Sequence, residues 1–384
     1  MDAVLKAVVE AIHASPTQAV LCLSGGASQA VGWLLSVPRA SSTVLEVTVP
    51  YSRISMLQLL GKTPSKFVSR ETAEEIALVA YNRALHLSLP GVPVAGIGFS
   101  GALVSATPKR GDHRCHIAAR TQTGLWHYNL TLSKGFRDRS GEDELTSRVL
   151  IKTLANVCGV PAVKLPLGLL EADEKLDESK EVFTEDVQLE QLISGTISMM
   201  KYPGSGDLKA EGRRVVLSGS FNPVHDGHLK LMDVACSLCE GGIPCFELAA
   251  VNADKPPLSH DEIKRRVKQF QDRGKTIIVT NEPLFYKKAE IFPDSTFVIG
   301  VDTAVRLITP KYYDGSKERM LEVLLRLKEI GCDFLVAGRK VAGQFQVLGD
   351  LEVPVELQTL FRPVSDELFR EDISSTELRS RSGL

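Results

Sequence analysis

The spacing of apolar residues changes period repeatedly along the chain, and each change marks an element. Residues 2–14 carry apolar side chains at helical spacing and stop near Ser15-Pro16, which predicts an opening helix. Ala19 to Leu23 is a continuous apolar run of strand length. Val44 to Val49 alternates as a strand does, and Val94 to Phe99 is short and apolar again. Ser24-Gly25-Gly26-Ala27-Ser28 and Ser100-Gly101-Ala102 follow the first and third of these runs as turns of small residues. Ser69 is an N-cap with Thr72 in the first helical turn. Cys115–Ala119 and Gly124–Leu132 read as a hairpin-like pair, and Leu145–Cys158 as an amphipathic helix.

The pattern changes after residue 165. Glu171 to Glu178 is rich in acids, and Tyr202 to Asp207 is turn chemistry, so 166–212 reads as a linker. It holds one helix, capped by Thr184, with Leu189, Leu192 and Ile193 on one face. Strands then recur at Arg214–Leu217, Cys245–Val251, Thr276–Val279, Thr296–Ile299 and Asp333–Ala337. Helical stretches separate them, including Ser259–Asp272, whose lysines and arginines read mostly as a solvated face. Strands alternating with helices predict a parallel sheet. The expectation is two α/β domains, 1–165 and 213–384, with no repeat between them.

A length of 384 residues agrees with two cores. Hydrophobic content of 43% and charged content of 24% are those of a soluble chain, and a net charge of -2 argues against a general nucleic-acid partner. No apolar run approaches the roughly 20 residues that span a membrane, and Met1–Ala14 lacks the pattern of a leader peptide, so a cytoplasmic setting is expected. Seven cysteines, an odd number, suit a reducing compartment. Cys236 and Cys239 have half the spacing of a zinc site, but without a second such pair they read as small buried hydrophobes, and no metal site is expected.

The chemistry concentrates at Arg214-Val215-Val216-Leu217-Ser218-Gly219-Ser220-Phe221-Asn222-Pro223-Val224-His225-Asp226-Gly227-His228. A strand brings the chain to a sheet's carboxyl edge, a glycine-containing turn lets it lie close to a ligand, and a helix N-terminus presents unpaired N–H groups. His225 and His228 add two imidazoles on one helical face. Further candidates lie at later strand ends. Lys255 stands in the loop after the second strand, and Asp302 follows Gly300, where it could bind a ribose hydroxyl or cap the next helix. Near the end, Ser374 and Glu377 form a capping box around Ser375 and Thr376, with Arg379 on the following turn, a combination suited to an anion.

The stretch at 214–228 and the Ile373-Ser374-Ser375-Thr376-Glu377-Leu378-Arg379 segment resemble the two signatures of the HxGH-type nucleotidyltransferases, most closely the nicotinate/nicotinamide mononucleotide adenylyltransferases. The resemblance implies a Rossmann-like domain that joins a nucleotidyl group, AMP from ATP, to a phosphate-bearing acceptor without an enzyme nucleophile, Mg²⁺ arriving with the triphosphate. His225, His228 and Arg379 would be catalytic, and Gly219, Ser220, Phe221, Ser374, Ser375 and Thr376 would bind the nucleotide. Lys255, Asp302 and Tyr312 would face the acceptor. Tyr312 and Tyr313 stand where such enzymes commonly have a stacking tryptophan, and Leu284–Ala289 replaces a Tyr-Thr-x-x-Thr-type segment, so the acceptor is less defined than the reaction. CTP as donor and a catalytically silent nucleotide-binding protein are the alternatives.

Residues 1–160 resemble the C-terminal domain of the CinA family, nicotinamide-mononucleotide amidohydrolases, through the Ser24-Gly25-Gly26 turn, Leu35-Ser36-Val37-Pro38, Tyr51-Ser52 and Ser100-Gly101-Ala102. Ser24, Tyr51 and Ser100 would then mark a second site. Leu23 and Gly25 replace the family's Glu and Cys, and Met56 stands where a lysine belongs, so nothing nearby activates Ser24. A structural, ligand-sensing or oligomerising domain is expected, the last making the chain a homo-oligomer. A bifunctional deamidating and adenylylating enzyme is the alternative.

Overall fold

The computed structural model describes residues 1–107, 110–162, 165, 169–204, 212–252, 256–341 and 344–370. They form two compact units, Met1–Gln188 and Leu189–Leu384.

The first unit begins with α1 (Ala3–Ala14), which Asp2 caps by accepting from the Leu5 N–H at 2.9 Å. β1 (Gln18–Ser24) leads to α2 (Ser28–Ser36). That helix has no cap of its own, and the buried Asp143 carboxylate supplies one, accepting from Ser28 N at 3.1 Å and Gln29 N at 3.1 Å. β2 (Val44–Thr48), α3 (Arg53–Leu60), α4 (Arg70–Leu87), β3 (Val94–Ala102), β4 (His113–Arg120), β5 (Gly124–Leu132), α5 (Arg139–Val157) and β6 (Lys175–Val182) follow. The sheet runs β2-β1-β3-β4-β5-β6, parallel over the first three strands and antiparallel beyond. One face, with Leu21, Ile97, Ile117 and Leu130, packs in the cluster that includes Leu5 and Ile12 of α1 and Leu150 and Leu154 of α5. The other face meets α4 so closely that a Cβ on Gly96 would lie 2.1 Å from the Tyr81 N and one on Gly98 2.3 Å from the Ala73 O. Only glycine permits that approach.

The second unit takes in α6 (Glu185–Ile193) from Leu189 onward, then β7 (Met199–Tyr202), β8 (Arg214–Ser218), α7 (Asp226–Leu238), β9 (Ile243–Ala249), α8 (His260–Gln271), β10 (Ile277–Thr280), α9 (Phe285–Ile291), β11 (Ser295–Gly300), α10 (Val301–Leu307), α11 (Lys317–Glu329) and β12 (Asp333–Ala337). A small antiparallel pair, β13 (Arg339–Val341) and β14 (Gln344–Gln346), precedes β15 (Phe361–Pro363). The main sheet has the order β15-β12-β11-β8-β9-β10-β7 and is parallel except for β7. The chain builds outward from β8 to one side through β9 and β10, then crosses to β11 and builds the other side. The carboxyl end of β8 is therefore a topological switch point, where neighbouring connections diverge and leave a crevice.

Three expectations are corrected. The acidic run expected in the linker enters β6, an edge strand whose charged side chains stay exposed, as edge strands require. Residues 199–202, also expected in the linker, pair antiparallel with β10. Ser100–Ala102 is not a turn, because β3 keeps pairing with β4 as far as Ala102 opposite Arg114. No described helix is long and apolar enough to cross a membrane.

Beneath the crevice of the second unit lies a buried ion pair. Glu247 on β9 is wholly buried and accepts from the Thr280 Oγ1 at 2.6 Å and the Lys288 Nζ at 2.7 Å. Lys288 comes from α9, so the segment Leu284–Ala289 serves to bring a cation into this core. Lys288→Met would leave a buried carboxylate unpaired and should cost about 3–5 kcal/mol. Adding Glu247→Leu should recover most of it. Urea unfolding of the C-terminal transition checks both, and a double variant no more stable than the single one would contradict the pairing.

Candidate active site

The signature loop forms at the carboxyl end of β8. The Gly219 N–H donates to the Glu247 carbonyl at 3.0 Å, and Phe221 then folds back, so that a Cβ on Gly219 would lie 2.8 Å from its ring. Phe221 takes a φ of +45°, which a bulky residue adopts only when held. Its ring is 0% exposed and meets Phe246, Phe270 and His228 edge-on. The phenyl ring is thus a core anchor, and only the backbone of Phe221 is left for a nucleotide.

One face of α8 holds the loop from below. The Arg266 Nη1 donates to the Ser220 carbonyl at 2.9 Å, and the Arg265 Nη2 to the Asn222 Oδ1 at 2.7 Å. The Gln269 Nε2 donates to the Phe221 carbonyl at 3.3 Å, and the Gln269 Oε1 accepts from the Val224 N–H at 2.9 Å. Glu262 binds both arginines, and their hydrogen bonds, Arg265's foremost, hold its pKa down to about 2. Positions 262, 265, 266 and 269 share one helical stripe. The solvated reading of this helix is corrected at Arg266, which is buried.

Beyond the loop His225 is the N-cap of α7, and the His228 Nδ1 accepts from its backbone N–H at 3.2 Å. The two rings lie 3.8 Å apart between centroids. Burial first, then the neighbouring His225 and Arg339, lower the His228 pKa to about 3. The ring is therefore neutral, and because Nδ1 accepts, its proton sits on Nε2. Ser220 is exposed at the rim. The Ser218 Oγ, at the end of β8, is buried without a hydrogen-bond partner.

Asp302 lies at the end of the adjacent strand β11. Gly300, not Asp302, is the N-cap of α10, and the Asp302 Oδ1 accepts from the Arg339 Nη1 at 3.4 Å. Of the two uses left open for this carboxylate, capping is thereby removed. Arg339 opens β13, two residues past β12, and faces both Asp302 and His228 electrostatically. It was not among the expected site residues. Its signal was a cation following Gly338 at a strand's carboxyl end.

Tyr312 is 60% exposed in the short turn Pro310–Tyr312, and no described contact joins it to the histidines or to Asp302. Tyr313 donates its hydroxyl to the Leu307 carbonyl at 2.9 Å, and burial pushes its pKa up to about 12. Lys255, Ser374, Ser375, Thr376 and Arg379 lie outside the described residues. Among the described residues no group of three or more His, Cys, Asp and Glu could hold a metal ion, and all seven cysteines are free thiols.

In the first unit Ser24 and Ser100 are partners in the β1–β3 register, but their hydroxyls donate to backbone carbonyls, Ser24 to Pro50 at 3.2 Å and Ser100 to Phe67 at 2.6 Å. Ser24 and Tyr51 line a cavity of 420 Å³ with Met56, Phe67 and Arg139. Arg139, from the start of α5, is a cation that the neighbouring sequence did not reveal. It donates to the Gly25 carbonyl at 3.0 Å.

Residues 216–381 match the cytidylyltransferase-like family. The C-terminal half is a domain of the HxGH-type nucleotidyltransferase superfamily, and the chain is an enzyme. No curated protein matches the chain. Among solved structures, the competence/damage inducible protein CihA from Agrobacterium tumefaciens is 16% identical with a TM-score of 0.35, covering 41% of this chain and 97% of its own. A CinA superfamily protein from Enterobacter cloacae is 12% identical with a TM-score of 0.33, covering 40% and 92%. A competence or damage-inducible protein from Enterobacter asburiae is 14% identical with a TM-score of 0.34, covering 41% and 99%.

The low pKa of His228 sets a pH dependence. The unfolded chain binds this proton near pH 6.5 and the folded one only near 3, so His228 favours folding fully above 6.5 and loses that contribution as pH falls toward 3. His228→Gln should flatten the acid limb of a stability-against-pH curve measured by urea unfolding. An unchanged slope would mean that His228 titrates normally.

Proposed function

We propose that the C-terminal half transfers AMP from ATP to the phosphate of nicotinate or nicotinamide mononucleotide, releasing pyrophosphate. The observation that carries this reading is the His228 ring, held neutral with its Nε2–H as donor at the switch point of a parallel sheet. An oxygen of the acceptor phosphate attacks the α-phosphorus, and the bond to the β-phosphate oxygen breaks. Negative charge builds on the α-phosphoryl oxygens and on the leaving pyrophosphate. Fixed donors are worth most where that charge develops. His228 and His225 supply them to the α- and β-phosphates, while the backbone of Gly219–Phe221 lies along the nucleotide.

Asp302 and Lys255 face the acceptor in this reading, and Tyr312 offers an exposed ring to its base. Ser374, Ser375 and Thr376 with Arg379 take the outer phosphates, on the strength of their motif. Mg²⁺ enters with the triphosphate as part of the substrate.

Pyrophosphate release over a panel of phosphorylated acceptors, with ATP and with CTP, tests the assignment. Turnover should be found with ATP and a pyridine mononucleotide, and His228→Ala should lower kcat by roughly 10²–10³-fold with circular dichroism unchanged. An unaffected rate in His228→Ala would remove the histidines from the mechanism. Turnover only with CTP would reassign the donor.

A further inference from the structure

On the α4 face of the first sheet a row of polar residues crosses the strands in register: Ser100 of β3 opposite His116 of β4, His116 opposite Asn129 of β5, and Asn129 opposite Asp177 of β6. His127, two residues before Asn129 and opposite Ser179, lies on the same face. A cavity of 330 Å³ opens here beside the first turn of α4, lined by Arg70, His116, His127, Asn129 and the β6 residues Asp177, Glu178 and Ser179. Its volume falls within the range of small-molecule sites.

Three buried atoms on its wall have no hydrogen-bond partner: the His116 Nδ1, the His127 Nε2 and the Asn129 Oδ1. His127 is 5% exposed. A buried polar atom left unpaired costs roughly 1–3 kcal/mol, and native folds rarely hold three together without a partner to meet them. The three charged residues that line the cavity, Arg70, Asp177 and Glu178, each have a partner, that of Glu178 being the Lys152 ammonium. The Arg70 Nε donates to the Glu74 Oε1 at 2.7 Å, and the Lys175 Nζ lies 2.8 Å from the Asp177 Oδ1.

Burial pushes both imidazoles below their ordinary pKa, His127 to about 4, so they are neutral. A neutral imidazole offers one N–H and one lone pair, and a carboxamide offers both functions. The wall therefore matches a neutral group that carries a donor beside an acceptor, rather than a phosphate or a metal ion. Among the described residues no cluster suited to a metal ion is found. The two imidazole planes lie within 27° of each other with centroids 5.8 Å apart, so the rings stack as a pair in the wall.

We propose that this cavity binds a nucleobase through its amide edge, where a ring N–H stands beside a carbonyl. The site is separate from the Ser24 cavity, and the proposal is independent of the role given to His225 and His228. In it the Asn129 Oδ1 accepts from the N–H of the base, the His127 Nε2 donates to its carbonyl, and the His116 Nδ1 takes the remaining polar atom.

Isothermal titration calorimetry on the full chain tests this with uridine and guanosine, which carry the amide edge, and with N3-methyluridine and inorganic phosphate, which lack it. Uridine or guanosine should bind, and N3-methyluridine at least tenfold more weakly than uridine. His127→Leu should lower nucleoside affinity at least tenfold without lowering the Tm, because it deletes an unpaired polar atom rather than a contact, and it should leave pyrophosphate release unchanged. Should His127→Leu not fold, Asn129→Leu, at a half-buried position, is expected to show the same loss. No binding of either amide-edge nucleoside, equal binding of N3-methyluridine, displacement by phosphate, or affinity undiminished in the folded variants would overturn the proposal.

Discussion

The C-terminal site depends on one set of contacts, the hydrogen bonds from α8 to the backbone of residues 220–224. The loop that ends β8 has to turn sharply, put Phe221 at a φ of +45° and still deliver His225 as a helix cap. Nothing in its own short length would hold it so. Arg266 and Gln269 meet its carbonyls at Ser220 and Phe221 and its N–H at Val224, while the Phe221 ring sinks among Phe246 and Phe270. Glu262, kept ionised by the two arginines, locks the stripe that does the holding. The His225 N–H then falls on the His228 Nδ1, and the tautomer of the ring follows from backbone geometry.

In the proposed reaction this arrangement lets His228 act as a donor without being a cation. In the proposed transfer, charge comes with the triphosphate and its Mg²⁺, and the protein's part is to present fixed N–H groups without reorganisation. The ion pair of Glu247 and Lys288 below serves the same end. The backbone of Glu247 anchors Gly219 and its side chain is fixed by Thr280 and Lys288, so the floor of the site is held on both sides of β9. Asp302 and Arg339 form an ion pair at the carboxyl ends of the neighbouring strands β11 and β12.

Much of this was legible from residue order, because it rests on local rules. The strand, turn and helix of 214–228, the cap at Ser69, and the alternation that builds a parallel sheet are all written in short windows. What escaped depends on register and on distant partners. The charges of β6 read as a linker because an exposed edge strand has the composition of a loop. Arg266 read as surface because its partner Ser220, 46 residues away, becomes a neighbour only when α8 packs against the loop after β8. Lys288 and Glu247 are 41 residues apart, and Arg139 is 114 residues from Gly25, so neither pairing leaves a trace in sequence. The row of His116, Asn129 and Asp177 exists only once three antiparallel strands are aligned.

The central claim is that the acceptor is joined to the α-phosphate rather than the triphosphate being merely bound or hydrolysed. ³¹P NMR of the protein with ATP, Mg²⁺ and nicotinamide mononucleotide follows both phosphorus atoms directly. Pyrophosphate should grow in equal amount with the paired resonances of a new phosphoanhydride, while both mononucleotide and ATP signals decline. Release of pyrophosphate with free AMP and an unchanged acceptor signal would contradict the account, and so would an unchanged spectrum.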